Sequence, residues 1–337
     1  MTKKMTGKKR RPTLDDIAAR VNVTKMTVSR YLRQPESVAE STRVKIEAVI
    51  RELGYIPSRV PNMLSKAKSR AIGVVLPSLS NQVFAALVQG IESVTQAAGY
   101  EVLLVHYGYN PAEEERKIAT LLSYHVDGLI LTETSHTAQC LKMIKSAGVP
   151  VVETMDLPQQ PIDFVVGLDH QQAAFTLVNQ MIASGKKHIV YLGARLDKRT
   201  QLRMDGYQQA MMAAGLTPHA IMTDAHSGFA NGAELFDQAM DAIPQLDGIF
   251  CTNDDIAAGA FIRCQSRGLA IPQQIAIAGY NALDIGKALR PQLTSVQTPR
   301  FAIGQTAARL LIDKLNGVPV SHQPVDLGFS IFNGGSI

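Results

Sequence analysis

Tryptophan is absent from these 337 residues and aromatic residues make up only 6% of them, so small aliphatic side chains must fill the core. Three scattered cysteines, Cys140, Cys251 and Cys264, exclude a disulfide framework and a cysteine zinc site. No apolar run approaches the roughly 20 residues of a membrane span. The basic first twelve residues lack the apolar segment of a secretory signal. The sequence therefore predicts a soluble, cytoplasmic protein.

Sequence signatures of common enzyme chemistry are missing as well. The chain has no G-x-x-x-x-G-K-[ST] loop, no G-x-G-x-x-G after a strand pattern, no H-E-x-x-H and no G-x-S-x-G. Its eight histidines show no metal-ligand spacing, and no set of nucleophile, base and orienting group is recognisable. We therefore predict a protein that is not an enzyme and that needs no metal or cofactor.

What the chain does have is an uneven distribution of charge. Residues 1–70 contain 17 Lys and Arg against 6 Asp and Glu, whereas the remainder contains 17 against 23. A cationic N-terminal segment on a larger anionic body is what binding to a polyanion requires. A solubilising tail is the alternative, because charge runs are usually just solvated. The bias extends through a segment with helical patterns, which favours the polyanion.

The N-terminal segment contains patterns for two short helices joined by a tight turn. Apolar residues recur at helical spacing over residues 14–21, and Thr13 and Asp16 are placed to form a capping box. Asn22 can end this helix because Asn tolerates the left-handed conformation. Thr24 is then placed to cap a second helix.

A third helical pattern over residues 38–53 ends at Gly54, and together the three helices predict a helix-turn-helix domain. The second helix of such a domain meets base edges in the major groove. The side chains that it offers there are Lys25, Met26, Thr27, Ser29 and Arg30. Thr13, Thr24 and the Lys/Arg run at residues 8–11 are better placed for phosphates.

The stretch TLDDIAARVNVTKMTVSRYLRQP resembles the N-terminal domain of LacI-family repressors, whose pattern is T-x-x-D-[IV]-A-x-x-A-G-V-S-x-x-T-V-S-R. The chain departs from it at Val21-Asn22, where the family usually has Ala-Gly, and at Thr24, where it has Ser. The resemblance implies that Lys25 and Met26 read an operator, with Thr27 and Arg30 in support.

A polar and basic joint, SRVPNMLSKAKSRAIG, follows the helical segment. Ser58 is placed to cap a short helix over residues 59–65, which is too short to be stable alone in water. A plain linker is the alternative. In LacI-family proteins the matching segment is a hinge helix that enters the minor groove. That resemblance adds Ser58, Arg59 and Leu64 to the DNA-binding residues, with Leu64 as the wedge between base steps.

From Ala71 onward, short β-rich runs alternate with amphipathic helical patterns. This βαβ rhythm is typical of parallel sheets, and the continuously apolar runs indicate sheets covered on both faces. About ten strands are too many for one small domain, so we predict two similar lobes. The chain is expected to cross between them at residues 163–167 and 293–299. Ligands in such folds bind beyond the carboxyl ends of the strands, here in the cleft between the lobes.

This body resembles the LacI-family effector domain, itself similar to periplasmic sugar-binding proteins. The resemblance implies that Arg203 binds the effector and that Asn253 and Asp254 line the cleft floor. Asn281 stands where sugar-binding members commonly carry Asp, which leaves Arg203 less neutralised and suits an anionic ligand. The expected wall of the first lobe is formed by Ser78, Asn81 and Gln82, with Glu133, Asp156 and Asp169 as weaker candidates.

The fold expected from these observations is an all-α helix-turn-helix DNA-binding head plus hinge helix, joined to an α/β periplasmic-binding-protein-like core of two parallel-sheet lobes. Its expected divisions are residues 1–57, 58–70 and 71–337. No leucine heptads occur at the end of the sequence, so a homodimer is expected rather than a tetramer held by a coiled coil.

Within the family, TKMTVSRYLR and AIGVVLPSLSNQVFA are similar to the branch that regulates gluconate and idonate use. The resemblance implies a repressor of sugar-acid catabolism genes that binds a pseudo-palindromic operator. A small anion such as gluconate or 6-phosphogluconate would release it. Two alternatives stay open. The effector could be idonate or a ketogluconate, and the protein could instead bind DNA more tightly with its effector or act as an activator. A transport receptor needs an export signal, and a sugar-modifying enzyme needs a catalytic set, neither of which we find.

Overall fold

The computed structural model describes residues 10–57, 68–195 and 197–337, and these fall into two compact units divided between Ser69 and Arg70. The expected hinge residues Ser58, Arg59 and Leu64 lie outside the described residues, as do positions 8 and 9 of the basic run. Within the described ranges, no helix has both the length and the apolar character that crossing a bilayer requires.

The first unit is a three-helix domain whose helix ends follow the local sequence. Its helices are α1 (Leu14–Val21), α2 (Lys25–Arg33) and α3 (Glu40–Leu53), with a 3₁₀ turn at Pro35–Ser37.

The predicted capping box at Thr13 and Asp16 is present, and Asn22 ends α1 in the left-handed conformation with φ 58°. Helix α3 begins at Glu40 rather than at Val38, because Val38 is extended after the 3₁₀ turn. Apolar side chains from all three helices form the core of this unit: Ile17, Ala18, Val28 and Ile46 are buried.

In the described part of the second unit, twelve strands form two six-stranded sheets. The first lobe contains β1 (Ala71–Leu76), β2 (Glu101–His106), β3 (Gly128–Leu131), β4 (Val151–Met155), β5 (Phe164–Gly167) and β11 (Val325–Asp326). The second lobe contains β6 (Ile189–Ala194), β7 (His219–Thr223), β8 (Gly248–Cys251), β9 (Ala276–Tyr280), β10 (Thr294–Gln297) and β12 (Ser330–Phe332).

Helices connect most of these strands. They are α4 (Val83–Thr95), α5 (Pro111–Ser123), α6 (Ala138–Ala147), α7 (His170–Ala183), α8 (Lys198–Ala213), α9 (Phe229–Ala242), α10 (Asp254–Ser266), α11 (Asp284–Ala288) and α12 (Arg300–Leu315).

The two sheets have matching strand orders, β11-β5-β4-β3-β1-β2 and β12-β10-β9-β8-β6-β7. All pairs are parallel except β10 with β12. The chain crosses between the lobes after β5 and after β10, near the two predicted places. A third crossing, between β11 and β12, was not predicted, because strands of two and three residues carry almost no alternation pattern.

The prediction that the strands are covered on both faces is right for the central strands and wrong for the edge strands β2 and β7. Strands β1, β3 and β4 are buried throughout. Strand β2 pairs with β1 at the edge of its sheet and is largely exposed, with Leu103 and Leu104 36% and 38% accessible. Apolar residues in a run therefore do not guarantee burial at a sheet edge.

Glycines permit two helices of the first lobe, α4 and α12, to pack with their backbones in contact. A Cβ placed on Gly90 would lie 2.1 Å from the Phe301 carbonyl oxygen, and one on Gly304 would lie 2.1 Å from the Leu87 carbonyl oxygen. Any larger residue at these positions would push the helices apart. Helix α12 lies against β3, β4 and β5, so this contact stabilises the lobe in which half of the cleft lies.

Candidate functional site

Helix α2 presents its first turn as an exposed, firmly capped surface. The Thr24 hydroxyl accepts a hydrogen bond from the Thr27 backbone N–H at 3.2 Å. Val28 anchors the helix in the core, whereas Met26 is 71% exposed. Lys25 is also exposed, and its ammonium pairs with Asp15 of α1 at 2.9 Å. The turn therefore offers a cation and an apolar side chain side by side to a partner.

The other predicted DNA-contact residues differ in their accessibility. Arg30 is exposed, and Thr27 and Ser29 are half-buried. The Thr13 hydroxyl donates to the Asp16 carboxylate at 2.7 Å, which commits it to the cap of α1. A concave surface of this unit is lined in part by three basic side chains, which are Arg11, Lys25 and Arg33. Cations on a concave surface next to α2 are suited to contacts with phosphates.

In the second unit, a polar cleft lies at the carboxyl ends of the strands of both sheets. Side chains from both lobes line it: Asn81, Val83, Phe84, Tyr109, Met155, Arg195, Asp197, Arg199, Thr200, Arg203, Thr252, Asn253 and Asn281. Four of these were predicted from the sequence, namely Asn81, Arg203, Asn253 and Asn281. Each lobe contributes the residues that directly follow its strands, as the fold requires.

Arg203 is buried in the cleft, and Asp156 and Asp197 act on its charge only from beyond ion-pair distance. One of its Nη atoms donates to the Thr252 carbonyl oxygen at 2.6 Å, and the guanidinium lies 3.8 Å from the centre of the Tyr280 ring. Its Nε has no hydrogen-bond partner. Among the described residues, no carboxylate oxygen lies within 4 Å of this guanidinium. A buried arginine in this state is suited to binding an anion.

Two asparagines add polar groups to the same cleft. Asn253 caps α10 by accepting from the Ile256 N–H at 3.0 Å and donates to the Ser227 hydroxyl at 2.7 Å. Asn281 is only 2% exposed, has φ 106°, and its Oδ1 has no hydrogen-bond partner. A buried acceptor without a donor is costly unless a ligand supplies one. A ligand hydroxyl is the group that Asn281 lacks.

Asp254 does not line the cleft, although the sequence predicted it there. Its carboxylate is fully buried and accepts from the Leu283 N–H at 2.5 Å and from the Ser295 hydroxyl at 2.7 Å. Burial raises the pKa of Asp254 to about 7. Asn253 and Asp254 are the N-cap and first residues of α10, and successive residues there point in different directions. Asp254 therefore supports the loop that carries Asn281.

Arg199 joins the two lobes across the cleft. Its guanidinium donates to the Thr132 carbonyl oxygen at 2.7 Å and to Glu133 at 2.6 Å, and it lies 3.7 Å from Asp156. Burial raises the pKa of Glu133. Burial acts in the same direction on Asp156, but the charge of Arg199 and the contact with His170 outweigh it and lower the pKa of Asp156. Glu133 and Asp156 were predicted as ligand-binding residues, and the structure instead pairs both with Arg199.

His170 lies at the crossing between the lobes and contacts both of them. Its Nδ1 is 2.8 Å from the Tyr280 hydroxyl, and its Nε2 is 3.1 Å from Asp156. Burial lowers the pKa of His170, which favours the neutral imidazole. Because Tyr280 also stacks on Arg203, a continuous set of contacts connects Arg203 to the Asp156–Arg199 pair.

Three remaining predicted residues lie outside the cleft lining. The Ser78 hydroxyl accepts from the Asn81 N–H at 3.3 Å and borders an open groove next to the cleft. Gln82 is exposed and precedes α4. Asp169 is exposed and caps α7 through the Gln172 N–H at 2.8 Å. Ser78 therefore stabilises a loop and Asp169 a helix end, whereas the Gln82 side chain does not cap α4.

The sequence reasoning missed Tyr109, Arg195, Asp197 and Arg199 in the cleft. One signal was available, because Arg195, Arg199 and Arg203 recur every four residues, the spacing that puts side chains on one side of a helix. Tyr109 and Asp197 carry no such signal. No three His, Cys, Asp or Glu residues within the described ranges are grouped as a metal site requires.

A helix-turn-helix unit followed by a two-lobed unit with a polar cleft defines a DNA-binding protein controlled by a small ligand. Two family descriptions match the chain. "Bacterial regulatory proteins, lacI family" matches residues 13–58, and "Periplasmic binding proteins and sugar binding domain of LacI family" matches residues 69–324. The chain belongs to the LacI family of transcriptional regulators, which confirms the resemblance found in the sequence.

Relatives match over nearly the whole length. The chain is 52% identical to the HTH-type transcriptional regulator GntR of Escherichia coli K12, over 98% of this chain and 100% of that protein. It is 45% identical to the regulator IdnR of the same organism, over 97% and 99%. The structure of the lac repressor dimer bound to operator and the anti-inducer ONPF matches with a TM-score of 0.83 and 25% identity, over 97% and 99%. The expected fold class is confirmed.

Proposed function

We propose that this protein is a homodimeric repressor of gluconate- or idonate-type catabolism genes, released from its operator when a sugar acid fills the cleft. The observation that carries the effector class is the buried Arg203 guanidinium, which has no carboxylate oxygen within 4 Å among the described residues and faces the same cleft as the unpartnered Asn281 Oδ1. A carboxylate satisfies the first group, and a hydroxyl satisfies the second. Sugar acids carry both.

Operator recognition is assigned to α2. Lys25 and Met26 at its exposed start are proposed to meet base edges, with Thr27, Ser29 and Arg30 in support. Arginine binds guanine through two parallel hydrogen bonds, and a methionine offers apolar contact to a thymine methyl. Thr24 and Arg11 are proposed to contact phosphates, which fix the register of the helix on the duplex. Thr13, predicted for the same role, instead uses its hydroxyl and N–H donors in the cap of α1.

We propose a dimer because each lobe exposes large apolar side chains. Leu103 and Leu104 on β2 are 36% and 38% exposed, and Phe229 and Ile262 in the second lobe are 49% and 51% exposed. A two-fold dimer would bury such side chains and place two α2 helices on a pseudo-palindromic operator. The proposed domains are residues 1–57, a hinge of 58–70 and a core of 71–337. The proposed location is the cytoplasm, where the operator is.

The names of two relatives support the sugar-acid assignment. GntR and IdnR are the regulators at 52% and 45% identity, and the sequence resembles the branch of the family associated with gluconate and idonate. We propose gluconate or 6-phosphogluconate as the effector. Idonate and the ketogluconates are the closest chemical alternatives, and they differ in the pattern of groups that Asn281 and Asn253 would meet.

A ligand screen tests the effector class. Purified protein is heated with gluconate, idonate, their keto forms, 6-phosphogluconate, and glucose as a neutral control. We expect a sugar acid to raise the melting temperature because a ligand that binds only the folded state stabilises it. Glucose should have no effect, and Arg203→Met should abolish the shift. Equal shifts with glucose, or shifts that survive in Arg203→Met, would contradict the proposal.

A further inference from the structure

Arg195 lies where the cleft meets a neighbouring open groove, and it borders both. It directly follows β6 and has φ 54°. Polar side chains also line the groove. They are the imidazoles of His106 and His226, the phenol of Tyr109, the hydroxyls of Ser78 and Ser80, and the carboxyl group of Asp255. Asn81, Tyr109 and Arg195 line both spaces, so the cleft and the groove are adjacent.

The guanidinium of Arg195 is held in place by an aromatic ring, and some of its hydrogen-bond donors have no partner in the protein. It lies 3.8 Å from the centre of the Tyr109 ring, which fixes its plane. Its Nε is buried without a hydrogen-bond partner. The nearest carboxylate oxygen in an ion pair, on Asp197, is 3.9 Å away, beyond hydrogen-bond distance.

The three arginines of this region are therefore in different states. Arg199 is paired at 2.6 Å with Glu133 and is close to Asp156. Arg203 is bound to a backbone carbonyl in the cleft. Arg195 retains donor capacity at the edge of the groove. Asp197 is largely committed elsewhere, because its Oδ1 caps α8 through the Thr200 N–H at 2.8 Å.

Arg195 and Arg203 both line the cleft. Only Arg195 also borders the open groove, and it precedes α8, whereas Arg203 lies within that helix. A sugar acid whose one anionic end is held by Arg203 could therefore present its other end to Arg195.

We propose that Arg195 forms a second anion subsite, so that the preferred effector is a sugar acid with an anionic group at each end. This inference rests on the proposed function. The far group is a phosphate or a second carboxylate, both of which arginine binds through paired N–H donors. The open groove leaves room for the larger phosphate.

Calorimetric titrations at one ionic strength test the subsite with three probes. Gluconate has one anionic end, glucarate has two carboxylates on the same carbon chain, and 6-phosphogluconate has a carboxylate and a phosphate. We expect at least one doubly anionic probe to bind the parent protein about tenfold or more tightly than gluconate, the effect of one good charged contact. The probe that gains identifies the far group.

Variants separate the subsite from the rest of the cleft. Arg195→Met should reduce the advantage of the doubly anionic probe over gluconate, with both measured in that variant, to less than about threefold. Arg195→Lys, which keeps the charge, should retain part of the advantage. Lys198→Met is the matched control, because Lys198 is an exposed cation three residues away, and it should retain the whole advantage.

The outcomes distinguish this inference from the function on which it rests. If all three probes bind the parent protein equally, or if the advantage survives in Arg195→Met, the second subsite is wrong while the sugar-acid cleft stands. If neither these probes nor the other sugar acids of the melting-temperature screen bind the parent protein, the proposed function itself is wrong.

Discussion

Arg199 and Glu133 form an ion pair of 2.6 Å that joins the two lobes of the ligand-binding unit. Their side chains are only 8% and 15% exposed, and the Arg199 guanidinium also binds the Thr132 carbonyl oxygen. A buried arginine that loses its carboxylate is left with an uncompensated charge. The pair therefore holds the lobes together while leaving Arg203 for the ligand.

Breaking this pair should destabilise the protein more than breaking a pair at the surface. We expect Glu133→Gln to lower the free energy of unfolding by about 2–4 kcal/mol, because Arg199 stays buried with only the more distant Asp156, at 3.7 Å, to pair with it. Urea denaturation of the parent and the variant measures the difference.

Glu113→Gln is the control, since Glu113 pairs with Arg116 on an exposed face of α5 at 2.6 Å. Exposed pairs contribute little, so its denaturation midpoint should stay within error of the parent. Equal losses in the two variants would show that the pair between the lobes is no stronger than a surface pair.

Asp254 should make stability depend on pH in the unusual direction. Its pKa in the folded state is about 7, above the ordinary 3.8, because burial disfavours the charge. The folded state therefore binds this proton more tightly than the unfolded state, and the contribution of Asp254 falls as pH rises from about 4 to about 7. Asp254→Asn removes that loss. The free energy of unfolding of the variant, relative to that of the parent, should therefore increase by about 2–3 kcal/mol between pH 5 and pH 8.

Asp237→Asn is the matched control for this pH dependence. Asp237 pairs with Arg263 and Arg267, and a hydrogen bond from Arg263 lowers its pKa. Asp237 is therefore ionised at both pH values, and the difference between this variant and the parent should not change. If the difference in the free energy of unfolding between Asp254→Asn and the parent were also independent of pH, burial would not raise the pKa of Asp254. Urea denaturation at pH 5 and pH 8 provides both comparisons.

Operator specificity should depend on a base contact made by the Arg30 side chain and not only on its positive charge. We expect Arg30→Ala to weaken binding to the selected operator by about tenfold to hundredfold, because a base contact is lost. Binding to random DNA should weaken much less. The control is Arg51→Ala on α3, where the same charge is lost at a residue paired with Glu47. Gel shifts with the two DNAs at one salt concentration measure the ratio, and equal ratios for both variants would refute the role of Arg30.

The close contact between α4 and α12 should make Gly304 sensitive to a single methyl group. Gly304→Ala places a Cβ 2.1 Å from the Leu87 carbonyl oxygen, so we expect a loss of about 1–3 kcal/mol in the free energy of unfolding. Gly228→Ala is the control, because a Cβ there meets no atom within 4 Å. Thermal or urea unfolding compares them, and similar stabilities would show that the helices adjust without cost.

Features that depend on neighbouring residues were predictable from the sequence. The capping box at Thr13 and Asp16, the left-handed Asn22 and the helix end at Gly54 all appear as expected, because each is determined by a few adjacent residues. The βαβ order and two of the three crossings also followed from local patterns. Arg203 and Asn253 were placed in the cleft because they directly match the motifs of the family.

Features that depend on distant contacts were not predictable in this way. Whether Glu133 faces a ligand or an arginine is decided by Arg199, which is 66 residues away. The direction of Asp254 is decided by Leu283 and Ser295, and no local pattern reports those contacts. Strand β2 has an apolar sequence, but only its position at the sheet edge exposes it.

The most direct test of ligand control is the affinity for operator DNA with and without effector at one ionic strength. Fluorescence anisotropy of a labelled operator should show binding weakened about fivefold to hundredfold by a saturating sugar acid, a coupling of roughly 1–3 kcal/mol. Arg203→Met should bind the operator as the parent does and should no longer respond to the sugar acid. An operator affinity that stays the same when the cleft of the parent protein is filled would contradict the account.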